Sequence, residues 1–233
     1  MHDVTVYRDF ADLTWAAAAL TVRLGTEALA ARGVFHLALS GGSTPLPLYA
    51  LLALPEWRAR LDWARVQIYW ADERCVPPDH AQSNYRMAHE ALLLPLGVPA
   101  ANIHRMQGEL DPEAAAANYS DLLAAVTLDL ILLGMGEDAH TASLFPETAA
   151  LSETARPCVA NYVPKLEAWR LTLSAPYINI ARHKVFLVNG ANKAAALEAV
   201  LHGAPDPLRY PAQLISAARW LVDNEAAAGL EQA

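Results

Sequence analysis

A chain of 233 residues, 54% of them hydrophobic, holds enough apolar material for one sizeable core, with room for a small appendage. Its net charge of −8 argues against a nucleic-acid partner or a basic membrane-surface role. An acidic chain that binds an anion must gather its cations locally, so single Arg and Lys residues in loops are the ones to follow.

In chain order, Val4–Tyr7 predicts a strand, and Asp9 is placed to cap a long helix ending near Gly33. The alanines and leucines between Trp15 and Ala31 favour helix on propensity as well as pattern. Phe35–Leu39 predicts a strand, followed by the loop Ser40-Gly-Gly-Ser-Thr-Pro45 and a helix through about Leu54. Val66–Trp70 predicts another strand, running into a loop that contains Asp72-Glu73-Arg74. A helix is expected from about Ser83 to Leu94, and an alanine-rich one over Pro112–Val126. Leu128–Leu133, apolar except for Asp129, has the length of a buried strand. Cys158–Val163 and Arg170–Leu173 alternate as exposed or antiparallel strands do. Val185–Val188 returns to the apolar strand type. Gly190–Leu201 then reads as a helix, Tyr210–Ile215 as a helical turn and Trp220–Val222 as a last strand.

Strands alternating with helices imply an α/β fold, a mainly parallel sheet with helices on both faces. No linker, low-complexity tract or repeat divides the chain. A single domain over residues 1–233 is expected, with a small antiparallel elaboration near residues 158–173.

The opening Met1-His-Asp-Val-Thr-Val lacks a basic segment followed by an apolar one, and Trp15–Leu20 is too short to span a bilayer. No leader and no membrane association are expected. Cys75 and Cys158 fit neither a C-x-x-C pair nor a disulfide framework, which is simplest for reduced thiols in the cytoplasm. No residue pattern sets the oligomeric state; a monomer is the expectation.

Parallel strands deliver their following loops to one edge, where open α/β sheets bind ligands. Four such loops carry chemistry. In Ser40–Pro45, Gly41 and Gly42 let backbone N–H groups approach an anion. Ser43 and Thr44 offer hydroxyls, and Pro45 suits the start of a helix whose N-terminus attracts negative charge. It is neither a Walker A loop nor a dinucleotide fingerprint. In the second, Arg74 can clamp a phosphate with Asp72 or Glu73 fixing its orientation; the bland alternative is a structural ion pair. In the third, Gly134 and Gly136 let the chain turn at positive φ, Asp138 and His140 follow, and Thr141–Phe145 reads as the first turn of a helix. The fourth, Asn189-Gly-Ala-Asn-Lys193, puts Lys193 in the first turn of a helix, which is unfavourable unless an anion sits there. Arg170 is a further cationic candidate, with a solvated edge-strand charge as its alternative. The remaining histidines form no metal-ligand spacing, so no metal and no cofactor are expected, and His36 and His104 read as structural.

Leu39-Ser-Gly-Gly-Ser-Thr-Pro45, Trp70-Ala-Asp-Glu-Arg74, Ser83-Asn-Tyr85, Gly134-Met-Gly-Glu-Asp-Ala-His-Thr-Ala-Ser-Leu-Phe-Pro146 and Asn189-Gly-Ala-Asn-Lys193 together resemble the 6-phosphogluconolactonase family, nearly end to end. The resemblance implies the sugar-phosphate isomerase/deaminase type of α/β fold. It also implies hydrolysis of 6-phosphoglucono-δ-lactone to 6-phosphogluconate, without a metal, as a step of the pentose phosphate pathway. His140 is then the general base, with Asp138 expected to position rather than to bond the same ring directly. Ser43, Thr44, Arg74, Lys193 and Arg170 become candidates for the phosphate. The family usually carries glycine where this chain has Ala139; at positive φ an alanine costs roughly 1–2 kcal/mol. Two other readings stand beside the lactonase. One is an amino-sugar phosphate deaminase or isomerase using Asp72 as its carbon base. The other is a sugar-phosphate-binding module without turnover.

Overall fold

The strands are β1 Asp3–Tyr7, β2 Phe35–Leu39, β3 Val66–Trp70, β4 Asp72–Arg74, β5 Leu130–Leu133, β6 Cys158–Val163, β7 Ala168–Leu173, β8 His183–Val188 and β9 Arg219–Asp223. This computed structural model describes residues 2–232; Met1, on which the leader reading began, and Ala233 lie outside it. Six strands form one parallel sheet in the order β1-β9-β8-β5-β2-β3. The order reverses between β2 and β5: from β2 the chain goes outward to β3, and from β5 it goes the other way through β8 and β9. The loops leaving β2 and β5 therefore part at this point and open a crevice at the carboxyl edge.

The helix Phe10–Arg32 forms where the sequence predicts it. Asp9 accepts from Asp12 N at one end, and Gly33 closes the other at φ 78°. Its buried positions Leu13, Ala17, Ala18, Thr21, Leu24 and Ala28 recur at three- and four-residue spacing, so one stripe faces the core. β2, β3, β5 and β8 are almost wholly buried, as strands covered on both faces must be. Each large side chain sealed there, such as Leu37, Ile68 or Phe186, contributes on the order of 1.5–3 kcal/mol. Among the described residues no helix is long and apolar enough to cross a membrane.

The antiparallel elaboration is present as the sheet β4-β7-β6. It is larger than the sequence implies, because Asp72–Arg74 is not a loop but a short strand paired with β7. Ala71 is the pivot: its N–H bonds Leu39 O in the main sheet, and its carbonyl accepts from Leu173 N in the small one. Thr141–Phe145 is the second departure. No helix starts there: Ala142 lies at φ 49°, and a Thr141–Leu144 bridge closes a tight turn instead. The helix expected from Ser83 is α-helical over Asn84–Ala88 and widens to a π-turn over His89–Leu93.

Candidate active site

The cleft opens where the sheet order reverses. It has a volume of about 600 Å³ and is lined by Gly41, Gly42, Ser43, Thr44, Asp72, Arg74, His140, Arg170 and Lys193. Nine of the ten candidate residues thus meet in one place; the tenth, Asp138, stands behind His140. Side-chain bonds knit the loops together. Thr44 Oγ1 donates to Asn189 Oδ1 at 2.7 Å, and Asn192 Nδ2 to Glu137 Oε1 at 2.6 Å. Asp223, at the end of β9, accepts from Gly190 N with both oxygens and anchors the fourth loop.

Gly41 is required by close approach. A Cβ there would lie 1.7 Å from Asn84 Oδ1, and the Asn84 amide is itself buried. Gly42 next to it sits at φ 93°. The glycines of the third loop work differently from the expectation, since neither Gly134 nor Gly136 has positive φ. Gly136 is small because a Cβ would meet His140 Nδ1 at 2.1 Å. The left-handed turn falls on Ala139, at φ 61° and fully buried. The loop is fixed around it by Gly136 N to His140 O at 2.8 Å and Ala212 N to Ala139 O at 2.9 Å.

Asp138 does bond the imidazole directly, against the expectation that two residues of separation favour positioning alone. Its Oδ1 lies 2.5 Å from His140 Nδ1 and accepts from His140 N at 3.2 Å, because the turn at Ala139 folds the chain back on itself. With Nδ1 occupied, Nε2 is the ring's free nitrogen. Phe145 stacks on the imidazole at 4.0 Å between centroids. Burial lowers the His140 pKa to about 4; Asp72 pulls the other way, while Lys193, Arg74 and Arg170 press it further down. The imidazole is neutral at pH 7.

The charges of β4 are distributed otherwise than the sequence suggests. Neither Asp72 nor Glu73 bonds the Arg74 guanidinium, whose Nη1 donates to the Gln82 carbonyl at 2.6 Å; Glu73 Oε1 accepts only the Arg74 backbone N–H, at 2.8 Å. Glu73 turns inward and caps the helix Asn84–Ala88, accepting from Asn84 N and Tyr85 N at 2.7 Å each and from Ser83 Oγ at 3.1 Å. Burial pushes the Glu73 carboxyl up against those donors. Asp72, buried at 8% exposure, accepts from Ser143 Oγ at 2.7 Å and Asn84 Nδ2 at 3.1 Å, so each of its oxygens holds a protein donor.

Ser143, Asn84, Asn189 and Lys165 belong to this constellation and were not singled out from the sequence. The first three lie inside the motif stretches, and their polar side chains there were the available signal. Lys165 had none: it follows Pro164 in the β6–β7 turn, reaches Asp138 Oδ2, and lies over the Phe145 ring at 5.0 Å. Cys75 is no nucleophile, since burial raises its thiol to about 11. Among the described residues no group of three His, Cys, Asp or Glu side chains is placed to hold a metal ion.

A parallel sheet covered on both faces, with a cation-lined cleft at its switch point, defines an α/β protein with a small-molecule site. The chain belongs to the glucosamine-6-phosphate isomerases/6-phosphogluconolactonase family, whose pattern it matches over residues 8–222. It is 43% identical over 224 residues to a 6-phosphogluconolactonase of Synechocystis sp., covering 91% of this chain and 90% of that one. The crystal structure of 6-phosphogluconolactonase from Leishmania guyanensis superposes with a TM-score of 0.84 at 30% identity, covering 99% of both chains. A monomeric glucosamine-6-phosphate deaminase superposes equally well, TM-score 0.84 over 98% of this chain and 100% of that one. At 23% identity that likeness speaks for the fold alone.

Proposed function

We propose that the protein hydrolyses 6-phosphoglucono-δ-lactone to 6-phosphogluconate, with His140 as general base. The observation that carries the mechanism is the His140–Asp138 contact, which occupies Nδ1 and leaves Nε2 as the free ring nitrogen at the cleft. A water placed there gives its proton to Nε2 as its oxygen bonds to the lactone carbonyl carbon. The tetrahedral intermediate then breaks the ring C–O bond, and the proton returns to the departing ring oxygen. Asp138 keeps the ring in one tautomer and stabilises the imidazolium while the proton is held.

The phosphate is met by the N–H groups of Gly41 and Gly42, the hydroxyl of Ser43, and the cations Arg74, Arg170 and Lys193, while Thr44, whose hydroxyl proton goes to Asn189, holds the loop in place. A base held near pKa 4 is weak, but a bound phosphate offsets the three cations that depress it and brings His140 closer to the working pH. The two free thiols fit the reducing conditions of the cytoplasm.

Relatedness favours the lactonase over the deaminase: the chain is 43% identical to a 6-phosphogluconolactonase and 23% identical to the deaminase. The test is a coupled assay on freshly generated 6-phosphogluconolactone beside glucosamine 6-phosphate. Lactone turnover above the spontaneous rate with no ammonia release is expected. Ammonia release would favour the deaminase, and binding without turnover a sensing module.

A further inference from the structure

We propose that Lys165, at the tip of the β6–β7 hairpin, is a positioning residue for this reaction: its ammonium holds the outer oxygen of Asp138 and thereby fixes the His140 ring with Nδ1–H on Asp138 and Nε2 free. The inference rests on the reading of His140 as base. The two oxygens of Asp138 are divided between opposite walls of the cleft. Oδ1 takes His140 Nδ1 and His140 N from its own loop, and Oδ2 takes Lys165 Nζ from the small sheet. The same ammonium lies over Phe145, whose ring stacks on His140, so Lys165 touches both supports of the imidazole. Its platform is a defined turn, closed by Glu167 N to Pro164 O at 3.0 Å with Glu167 left-handed at φ 48°.

Among the described residues, seven charged groups line the cleft or touch the ring. Asp138 and Glu137 come from its own loop, Asp72 and Arg74 from β4, Arg170 from β7, Lys193 from the fourth loop and Lys165 from the hairpin. Among the described residues, Lys165 is the one cation paired with Asp138 besides the His140 ring itself. Without it the carboxylate acts on the imidazole alone, and a cation near the ring is lost as well. Both changes favour the protonated ring, so the acid limb of the rate profile moves to higher pH.

The experiment is kcat and KM against pH, from about pH 4 to 8, for wild type, Lys165→Met, Lys165→Arg and His140→Gln, with spontaneous hydrolysis subtracted. Lys165 is 53% exposed in its turn, so its replacement leaves the core untouched, and thermal unfolding checks this. Lys165→Met should lower kcat several-fold with KM little changed, and raise the acid limb by about half a pH unit or more. Lys165→Arg should restore both. A Lys165→Met acid limb superimposable on that of wild type overturns the proposal, whatever happens to kcat or KM. His140→Gln with wild-type turnover and profile would sink the base reading itself. An inactive His140→Gln beside an unmoved Lys165→Met limb would sink the role of Lys165 alone.

Discussion

Arg74 and Arg170 face each other as register partners on the antiparallel strands β4 and β7. Like charges directly opposite on a sheet repel, and here both guanidiniums donate to backbone carbonyls, those of Gln82 and Trp169. Burial and Arg74 together lower the pKa of Arg170. Under the proposed function the substrate phosphate sits between them and relieves that repulsion.

Arg74→Ala and Arg170→Ala should therefore act on the phosphorylated substrate. Losing one charge-assisted bond costs about 1.5–3 kcal/mol, or roughly 10–150-fold in kcat/KM for the phosphorylated lactone. Turnover of glucono-δ-lactone should change little, and inorganic phosphate should raise the Tm of wild type more than that of either variant. Equal losses on both lactones would make the pair structural or catalytic.

His140→Ala should lower kcat by roughly 10²–10⁴ while leaving product affinity nearly intact. With a pKa of about 4 the free enzyme keeps its base unprotonated across pH 6–8 and loses it toward pH 4. Bound 6-phosphogluconate should raise the titration midpoint of the His140 ring, read by NMR, because its phosphate offsets Lys193, Arg74 and Arg170. Stability follows the same sign. The pKa is depressed in the folded state, so the contribution of His140 is complete above the ordinary 6.5 and is lost as pH falls from there through about 4. Wild type should lose more stability across that window than His140→Ala, measured by urea unfolding at each pH.

Asp72→Asn separates the two reactions of the family. The Ser143 hydroxyl can rotate from donor to acceptor, so an amide at position 72 keeps both hydrogen bonds, with Oδ1 taking Asn84 Nδ2 and Nδ2 giving to Ser143 Oγ. The variant should fold and keep measurable lactonase activity, weakened mainly in KM. Ammonia release by the wild type that disappears in Asp72→Asn would assign Asp72 as a carbon base and overturn the lactonase reading.

Ala139→Gly should stabilise the protein. Relief of φ 61° is worth roughly 1–2 kcal/mol, offset by about 0.5–1 kcal/mol from the extra freedom of glycine in the unfolded chain. A net gain near 1 kcal/mol corresponds to a Tm rise of about 2–4 °C for a chain of this size. An unchanged or lowered Tm would mean that the loop holds Ala139 without strain.

Local pattern was enough for the parallel sheet, its first helix and three of the four loops. Asp9 and Gly33 bound the first helix, Phe35–Leu39 and Val66–Trp70 are strands end to end, and the motifs at Gly41, Arg74, His140 and Lys193 lie in a single cleft. Strand periodicity, capping and turn chemistry are short-range, so they can be read from neighbours in the chain. What the sequence left undecided depends on partners far away in it. Asp72–Arg74 is a strand only because β7, a hundred residues later, supplies its hydrogen bonds. Thr141–Phe145 is not a helix because Thr141 Oγ1 bonds back to Gly134 O and Ser143 is clasped by Asp72, Thr172 and Asn161. Asp138 meets the His140 ring because Ala139 adopts a left-handed turn that Ala212 holds from outside. Lys165 reaches Asp138 across the cleft from a hairpin, and no spacing rule along the chain encodes an ion pair of that kind.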